Sequence, residues 1–445
     1  DLPSPPESIF APRRGFRTNS AQHSFKSKRA MNSKQQAQTS PNRTSLHTYV
    51  GIAVLLTAAA ILYALLFRPP ILGLADNGDF HRLAAPQGLI YPLDPQLRPV
   101  AWNERHWDWI FLTWHLSPAE ATDPGYFTTA SWLLAPLARA HRAILGEAPF
   151  DLREYAALCS IILIAGYIAL LFASRPLPAA TRIPLLAAAI VLYTDSAYLA
   201  YFNSFYCESA TVPFLLLSWA AGWLWLSRAR SAVLPTIILI AALAFLSGAK
   251  PQNTIIGLLL GPAIAITGLL DLRRSPRAFR NPSNAAALAA LLGGIAVLLL
   301  SKHALTAQHE RYTTWHLYHY VFKEILPHSN TPEADLLTLA LRPEQARLSG
   351  GNVWSDLHAG RAPSFDDEFK SVTLATIVKF HLSHPRRSLR MVTEPAANAS
   401  AMRAPNLGNF ERAAGRPPGS IATHWALWSK AKETLAPFSA PSLLL

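Results

Sequence analysis

Residues 49–67 read YVGIAVLLTAAAILYALLF, an apolar run without a charged side chain. A helix of this length covers the hydrocarbon core of a bilayer, about 30 Å, because each residue adds about 1.5 Å. We therefore predict an all-α polytopic membrane protein, a helical bundle of about seven spans or more. Six further runs are predicted to span the membrane: residues 155–174, 183–202, 209–227, 232–249, 254–271 and 284–301.

The composition favours the same class of protein. Hydrophobic residues make up 51% of the chain and charged residues only 15%. The net charge of +13 does not indicate a nucleic-acid-binding protein, because the basic residues gather in short loops and in the N-terminal tail. The two cysteines, Cys159 and Cys207, lack metal-ligand spacing, so neither a zinc site nor a disulfide framework is predicted.

The basic residues also predict the orientation of the chain. Short loops on the cytoplasmic side of membrane proteins are enriched in Lys and Arg, which places the basic N-terminus in the cytoplasm. Three later basic loops alternate consistently with that assignment. They contain Arg175 and Arg182, then Arg228 and Arg230, then Arg273, Arg274, Arg277 and Arg280.

Three regions follow from this topology. Residues 1–48 are predicted to be a disordered basic cytoplasmic tail, in which Met31 offers an alternative start that would leave residues 1–30 untranslated. Residues 49–301 form the transmembrane domain, with a long extracytoplasmic loop at 68–153, and residues 302–445 form a helical extracytoplasmic domain. A secretory signal cleaved near residues 73–75 is the competing interpretation of the first apolar run.

Three polar strings are predicted to meet at the extracytoplasmic face. They are DNGDFHR at 76–82, YFNSFYCE at 201–208 and KPQN at 250–253, each beside the end of a predicted span. Ionisable groups are costly at such positions and are therefore functional candidates. The candidate residues are Asp76, Asp79, Arg82, Asn203, Tyr206, Glu208, Lys250 and Gln252.

Acidic and basic groups at one membrane face suit glycosyl transfer from a polyprenyl-phosphate sugar. The acceptor hydroxyl loses a proton to a carboxylate, and the departing lipid phosphate requires Lys or Arg donors. Structural roles remain open for the same residues. Lys250 can extend to the interface, Glu208 can cap a helix, and Asp76 with Asp79 can form a turn.

The strings at 76–82 and 201–208, with those at 318–326 and 332–341, resemble bacterial surface-glycan hexose transferases, which are membrane glycosyltransferases of the GT-C type. The resemblance implies a base at Asp79, which Gly78 and Phe80 frame. It also implies a donor phosphate held by Lys250 and Arg82. Asp76 and Glu208 would orient the acceptor or a divalent cation, with no other cofactor implied.

The resemblance also implies partners and a location. The donor would be a polyprenyl-phosphate hexose, and the acceptor a surface glycan or a lipid-linked glycan, at the outer face of the bacterial inner membrane. Enzymes of this type usually have more spans than seven. His316 and His319 have metal-ligand spacing, but a packed or surface helix face explains them better. A flippase of lipid-linked sugars and a non-catalytic assembly protein are the alternative functions.

Overall fold

The computed structural model describes residues 41–91, 102–117, 128–228, 232–274, 282–307, 310–353, 365–393 and 406–435. Predictions for the tail at 1–40 and for Arg230, Arg277 and Arg280 lie outside these residues. The chain divides into two units, residues 1–53 and residues 54–445. In the first unit the described residues, 41–53, are the start of a helix.

Helices dominate the described part of the chain, which confirms the predicted all-α class. Three short strands, β1 Leu89–Ile90, β2 Thr113–Leu116 and β3 Phe150–Asp151, pair antiparallel in the order β1-β2-β3. The helices are α1 Pro41–Leu66, α2 His81–Ala84, α3 Trp102–His106, α4 Thr129–Leu145, α5 Leu152–Ala173, α6 Ala179–Tyr193, α7 Ser196–Leu199, α8 Glu208–Arg228, α9 Val233–Ala249, α10 Thr254–Arg274, α11 Pro282–Thr306, α12 Glu310–His319, α13 Pro332–Thr338, α14 Phe365–Phe369, α15 Leu374–Ser383, α16 Pro385–Thr393 and α17 Leu427–Leu435.

Five of the described helices are long and apolar enough to cross a membrane. These segments are Leu46–Leu66, Leu152–Ala173, Glu208–Ser227, Pro251–Arg274 and Ser283–Thr306. The helices α6 and α9 are apolar but shorter, so each of the seven predicted runs contains a helix. The protein is therefore a multi-pass membrane protein, as predicted.

The predicted single helix over residues 183–202 was wrong in its second half. Helix α6 ends at Tyr193, and Asp195 begins the separate helix α7 by accepting a hydrogen bond from the Ala197 amide at 2.8 Å. Asp195 is completely buried, and its other oxygen accepts from the Trp428 and Ser429 amides. The carboxylate thus turns the chain at this point and anchors the beginning of α17.

The apolar helices pack as neighbours in a connected bundle. Helix α5 packs on α8, α8 on α9, and α9 on both α10 and α11. The backbones of α10 and α11 touch directly at two glycines: a Cβ on Gly261 would lie 2.8 Å from the Gly294 carbonyl oxygen. Small residues allow such close packing between membrane helices.

Residues 310–393 contain a hydrophobic core of their own. Helix α12 continues into a π-helical turn, Tyr320–Ile325, and the turn buries Val321, Phe322 and Ile325. Residues from α15 and α16, such as Phe380 and Met391, close the same core. One side of the α12 and π-turn segment is therefore fixed against apolar residues.

Candidate functional site

A cavity of about 310 Å³ lies where the three polar strings meet. Six of the eight predicted site residues line it: Asp79, Arg82, Tyr206, Glu208, Lys250 and Gln252. Asp76 and Asn203 are absent from its lining. Leu74, Asn77, Leu83, Tyr201, Phe205, Cys207, Pro251, His316 and Leu407 complete the wall.

The segment at residues 72–75 leads into the site and is held from both sides. On one side the Gly73 amide donates to the Asn409 carbonyl at 3.1 Å, and the Ala75 amide donates to the Gly408 carbonyl at 2.8 Å. On the other side Asn203, which is completely buried, donates from Nδ2 to the Leu72 carbonyl at 2.8 Å. Asn203 therefore holds the segment that leads into the site, although it does not line the cavity.

Asp76 is a buried anchor for the turn that carries Asp79. Its Oδ1 accepts hydrogen bonds from the amides of Gly78 at 2.7 Å and Phe80 at 3.0 Å. Gly78 has a φ of 99°, a conformation that favours glycine over residues with a Cβ. The Asp76 side chain therefore fixes the backbone geometry on both sides of Asp79.

The second oxygen of Asp76 faces a polar pair that sequence reasoning missed. Tyr91 donates its hydroxyl to Oδ2, and His106 Nδ1 lies 3.2 Å from the same oxygen. Burial acts to raise the pKa of Asp76, but the hydrogen bonds from His106, Tyr91 and two backbone amides outweigh it and lower the pKa. Asp76 is thus held as an anion away from the cavity.

Asp79 faces the cavity beside a cation. Arg82 Nη2 lies 2.9 Å from Asp79 Oδ1, and 38% of the Asp79 side chain is exposed. Burial raises the pKa of Asp79, and the positive charge of Arg82 only partly opposes that effect. The carboxylate is consequently more basic than an aspartate in water.

Glu208 and Lys250 form a second ion pair that lines the same cavity. Glu208 is the first residue of α8, and Lys250 directly precedes the 3-10 turn Pro251–Asn253 that leads into α10. Both side chains are about one-third exposed, 30% for Glu208 and 36% for Lys250. Two membrane helices therefore deliver one carboxylate and one ammonium to the cavity from their ends.

Tyr206 joins the first two strings. Its hydroxyl donates to the Ala75 carbonyl at 3.0 Å and accepts from the Asn77 amide at 2.8 Å. Its ring packs edge-on against Phe80, with the ring centroids 4.8 Å apart. Burial raises the pKa of the hydroxyl, so Tyr206 remains neutral and acts as a fixed brace.

The match to a family model covers nearly the whole chain. The model described as the YfdI N-terminal transmembrane domain matches residues 34–442. The chain belongs to this family. No curated protein and no solved structure matches the chain. The YfdI-type transmembrane domain therefore includes both the bundle and every residue of the cavity.

His316 is an ionisable cavity residue of this YfdI-family chain that was not among the selected site residues. We interpreted it as part of a packed or surface helix face; its side chain is exposed and lines the cavity together with Asp79 and Lys250. Partial burial lowers the pKa of the imidazole, and the positive charges of Arg82 and Lys250 lower it further. A neutral imidazole can accept or donate a hydrogen bond, so His316 adds a polar contact without adding charge. Its signal in the sequence was its spacing from His319, one helical turn away.

The cavity is lined by cationic as well as acidic side chains. Arg82 and Lys250 line the same cavity, and their side chains can both approach a phosphate. In the part of the chain that the structure describes, no three His, Cys, Asp or Glu side chains are grouped to hold a metal ion. The YfdI-family cavity therefore combines two carboxylates, Asp79 and Glu208, with two cationic side chains that pair with them.

Proposed function

We propose that the chain is a membrane glycosyltransferase of the GT-C type that moves a hexose from a polyprenyl-phosphate donor to a surface glycan or lipid-linked acceptor. The observation that carries this proposal is the placement of Asp79, Arg82 and Lys250 around one cavity at the ends of apolar helices. A donor with a lipid tail and a charged head requires this combination of a membrane surface, cations and a base.

The reaction is a single displacement at the anomeric carbon. Asp79 accepts the proton of the acceptor hydroxyl as that oxygen forms its bond to the anomeric carbon. The bond between the anomeric carbon and the phosphate oxygen breaks, and its electron pair leaves with the polyprenyl phosphate. Arg82 and Lys250 stabilise the negative charge of this leaving group, and the configuration of the sugar inverts.

The two ion pairs couple donor binding to the strength of the base. A donor phosphate competes with Asp79 for Arg82 and with Glu208 for Lys250, because Arg and Lys form charge-assisted hydrogen bonds with phosphate as well as with carboxylate oxygens. When Arg82 turns to the phosphate, Asp79 loses the charge that lowers its pKa. The bound donor therefore makes Asp79 a better base before the acceptor arrives.

The same proposal places the cavity at the extracytoplasmic face of a bacterial inner membrane, with the N-terminus in the cytoplasm. Helix α8 begins at the cavity with Glu208 and ends with Arg228, and α10 begins beside the cavity and ends with Arg274. The basic ends of these helices thus lie away from the cavity. This distribution supports a cytoplasmic location for the basic loops.

The test is transfer of labelled hexose from polyprenyl-phosphate donors by purified protein in lipid vesicles. We expect Asp79→Asn to abolish transfer while donor binding persists, because the amide keeps the shape of the side chain but cannot accept the proton. Asp367→Asn, at an exposed site, is the matched control and should transfer normally. If the parent only moves the donor across the bilayer, and Asp79→Asn does so equally well, the chain is a flippase and not a transferase.

A further inference from the structure

A second cavity adjoins the first and is separate from the proposed phosphate contacts. Its volume is about 480 Å³, within the size range of small-molecule sites. Pro251, Gln252 and His316 line both cavities. His319, Tyr320 and Glu324 form the remaining wall of the second cavity. A ligand there would contact the same Gln252 and His316 side chains that border the catalytic cavity.

The second cavity is built on a stretch where a helix changes into a π-helical turn and whose other side packs into a hydrophobic core. His316 and His319 belong to α12, and Tyr320 and Glu324 belong to the π-helical turn that follows it. This turn directs Val321, Phe322 and Ile325 into the core and leaves Tyr320 and Glu324 on the cavity side. π-Helical turns are rare and occur frequently at functional sites.

Three polar side chains of this wall are accessible to a ligand. Among the described residues, the side chains of Gln252, His316 and Glu324 have no hydrogen-bond partner and no ion-pair partner. The Glu324 carboxylate can accept hydrogen bonds, and the Gln252 amide and the imidazole can both donate and accept. This set matches a ligand that carries several hydroxyl groups.

Tyr320 offers a fixed aromatic surface to the same cavity. Its hydroxyl lies 2.8 Å from His381 Nε2, and His381 Nδ1 lies 2.6 Å from Ser388 Oγ. These contacts use the hydroxyl and hold the ring in one orientation. The face of an aromatic ring carries partial negative charge and attracts the C–H groups of a pyranose ring.

We infer that the second cavity binds a neutral saccharide, with a pyranose ring against Tyr320 and its hydroxyls on Glu324, Gln252 and His316. A sugar acid fits less well because Glu324 would repel its charge. Under the proposed function, on which this part of the inference rests, the saccharide is the acceptor. Its reactive hydroxyl reaches Asp79 past the shared residues Gln252 and His316.

The first test measures saccharide binding without a donor, so that it does not depend on transfer. Purified protein in nanodiscs is mixed with a panel of neutral mono- to tetrasaccharides, and saturation-transfer-difference NMR reports which sugars bind. We expect Glu324→Gln to weaken binding about tenfold, the effect of losing a hydrogen bond to a charged acceptor. Tyr320→Leu should abolish the saturation of the pyranose C–H protons, while Tyr320→Phe, which keeps the ring, should retain it.

Glu333→Gln is the matched control, since Glu333 is an exposed glutamate that does not line either cavity. The inference is overturned if Glu324→Gln and Glu333→Gln change saccharide binding equally. It is also overturned if no sugar of the panel binds. In transfer assays the Glu324→Gln variant should raise the acceptor KM and leave the donor KM unchanged. If sugars bind through Tyr320 and Glu324 but no donor supports transfer, the saccharide site stands and the proposed function fails.

Discussion

At the scale of single residues, the basicity of Asp79 depends on two opposing effects. Burial raises the pKa of its carboxyl group, and the charge of Arg82 lowers it. Since only the ionised form accepts a proton, transfer should be lost as the pH falls through the raised pKa of Asp79. The acidic limb of the pH–rate profile should therefore lie above the ordinary aspartate value of 3.8.

The Arg82→Gln variant tests this balance. Without the guanidinium the pKa of Asp79 in the free enzyme rises further, so the acidic limb of kcat/KM for the donor, which reports the free enzyme, should move to higher pH. The plateau rate should also fall about tenfold or more, because one charge-assisted bond to the phosphate is lost. Arg412→Gln removes an exposed arginine that pairs with Glu104 and should leave the pH profile unchanged. An acidic limb that stays in place, or moves to lower pH, would contradict the role of Arg82.

The residues that surround Asp79 were only partly predictable from the sequence. Asp79, Arg82, Glu208 and Lys250 stand beside the ends of apolar runs, and the topology brings such ends to one face. Tyr91 and His106 contact Asp76 from distant positions, with no local pattern to indicate this. Asn203 was predicted as a site residue because it lies in the string at 201–208, but its side-chain amide donates to the backbone carbonyls of Leu66 and Leu72 and does not line the cavity.

At the scale of elements, the contact between α10 and α11 supports one wall of the site. Helix α10 follows directly on Lys250 and Gln252, so its position sets theirs. We expect Gly261→Ala to destabilise the protein by about 1–3 kcal/mol, because the added methyl meets backbone and the helices must separate. Chemical denaturation in detergent would measure the change in the free energy of unfolding.

Gly222→Ala is the matched control for this contact. The nearest atom to a Cβ on Gly222 is the Leu239 Cδ1 at 3.6 Å, an ordinary contact. This variant should be neutral or slightly stabilising, since alanine favours a helix more than glycine does. Equal losses of stability in the two variants would rule out close backbone packing as the reason for Gly261.

Apolar runs predicted the helices of the bundle well, because length and composition alone specify a span. The exception at 183–202 has a local cause that hydropathy does not detect. Asp195 interrupts this run, because its carboxylate begins α7 and accepts hydrogen bonds from Ala197 and from Trp428 near the other end of the chain. The π-helical turn Tyr320–Ile325 lies in the region at 302–445 that was predicted only as a helical domain.

At the scale of the whole molecule, Asp195 joins the bundle to the C-terminal segment. Its buried carboxylate accepts from the Trp428 amide at 2.9 Å, the Ser429 amide at 3.0 Å and the Ser429 hydroxyl at 3.0 Å. Asp195→Ala should lower the free energy of unfolding by roughly 1–3 kcal/mol for each buried N–H that is left without an acceptor. The segment at 406–435 should then become sensitive to protease while the membrane helices remain intact.

Asp367→Ala provides the comparison, because Asp367 and its partner Lys370 are both exposed. Exposed ion pairs contribute about 0–1 kcal/mol, so proteolysis of this variant should follow the parent. Unchanged protease resistance in Asp195→Ala would show that other contacts suffice to hold the segment. Thermal unfolding of the same samples separates local release of the segment from global loss of structure.

The hydrogen bonds that hold residues 72–75 against residues 408–409 also determine when the cavity is completed during biosynthesis. Asn409 donates to the Gly73 carbonyl across 336 residues of chain, and Leu407 beside it lines the cavity. Since a chain leaves the ribosome from its N-terminus, the helices from α5 to α11 are all made before this partner appears. A nascent chain in the membrane therefore carries Asp79 but an unfinished cavity wall, and only a chain translated past residue 409 can close it.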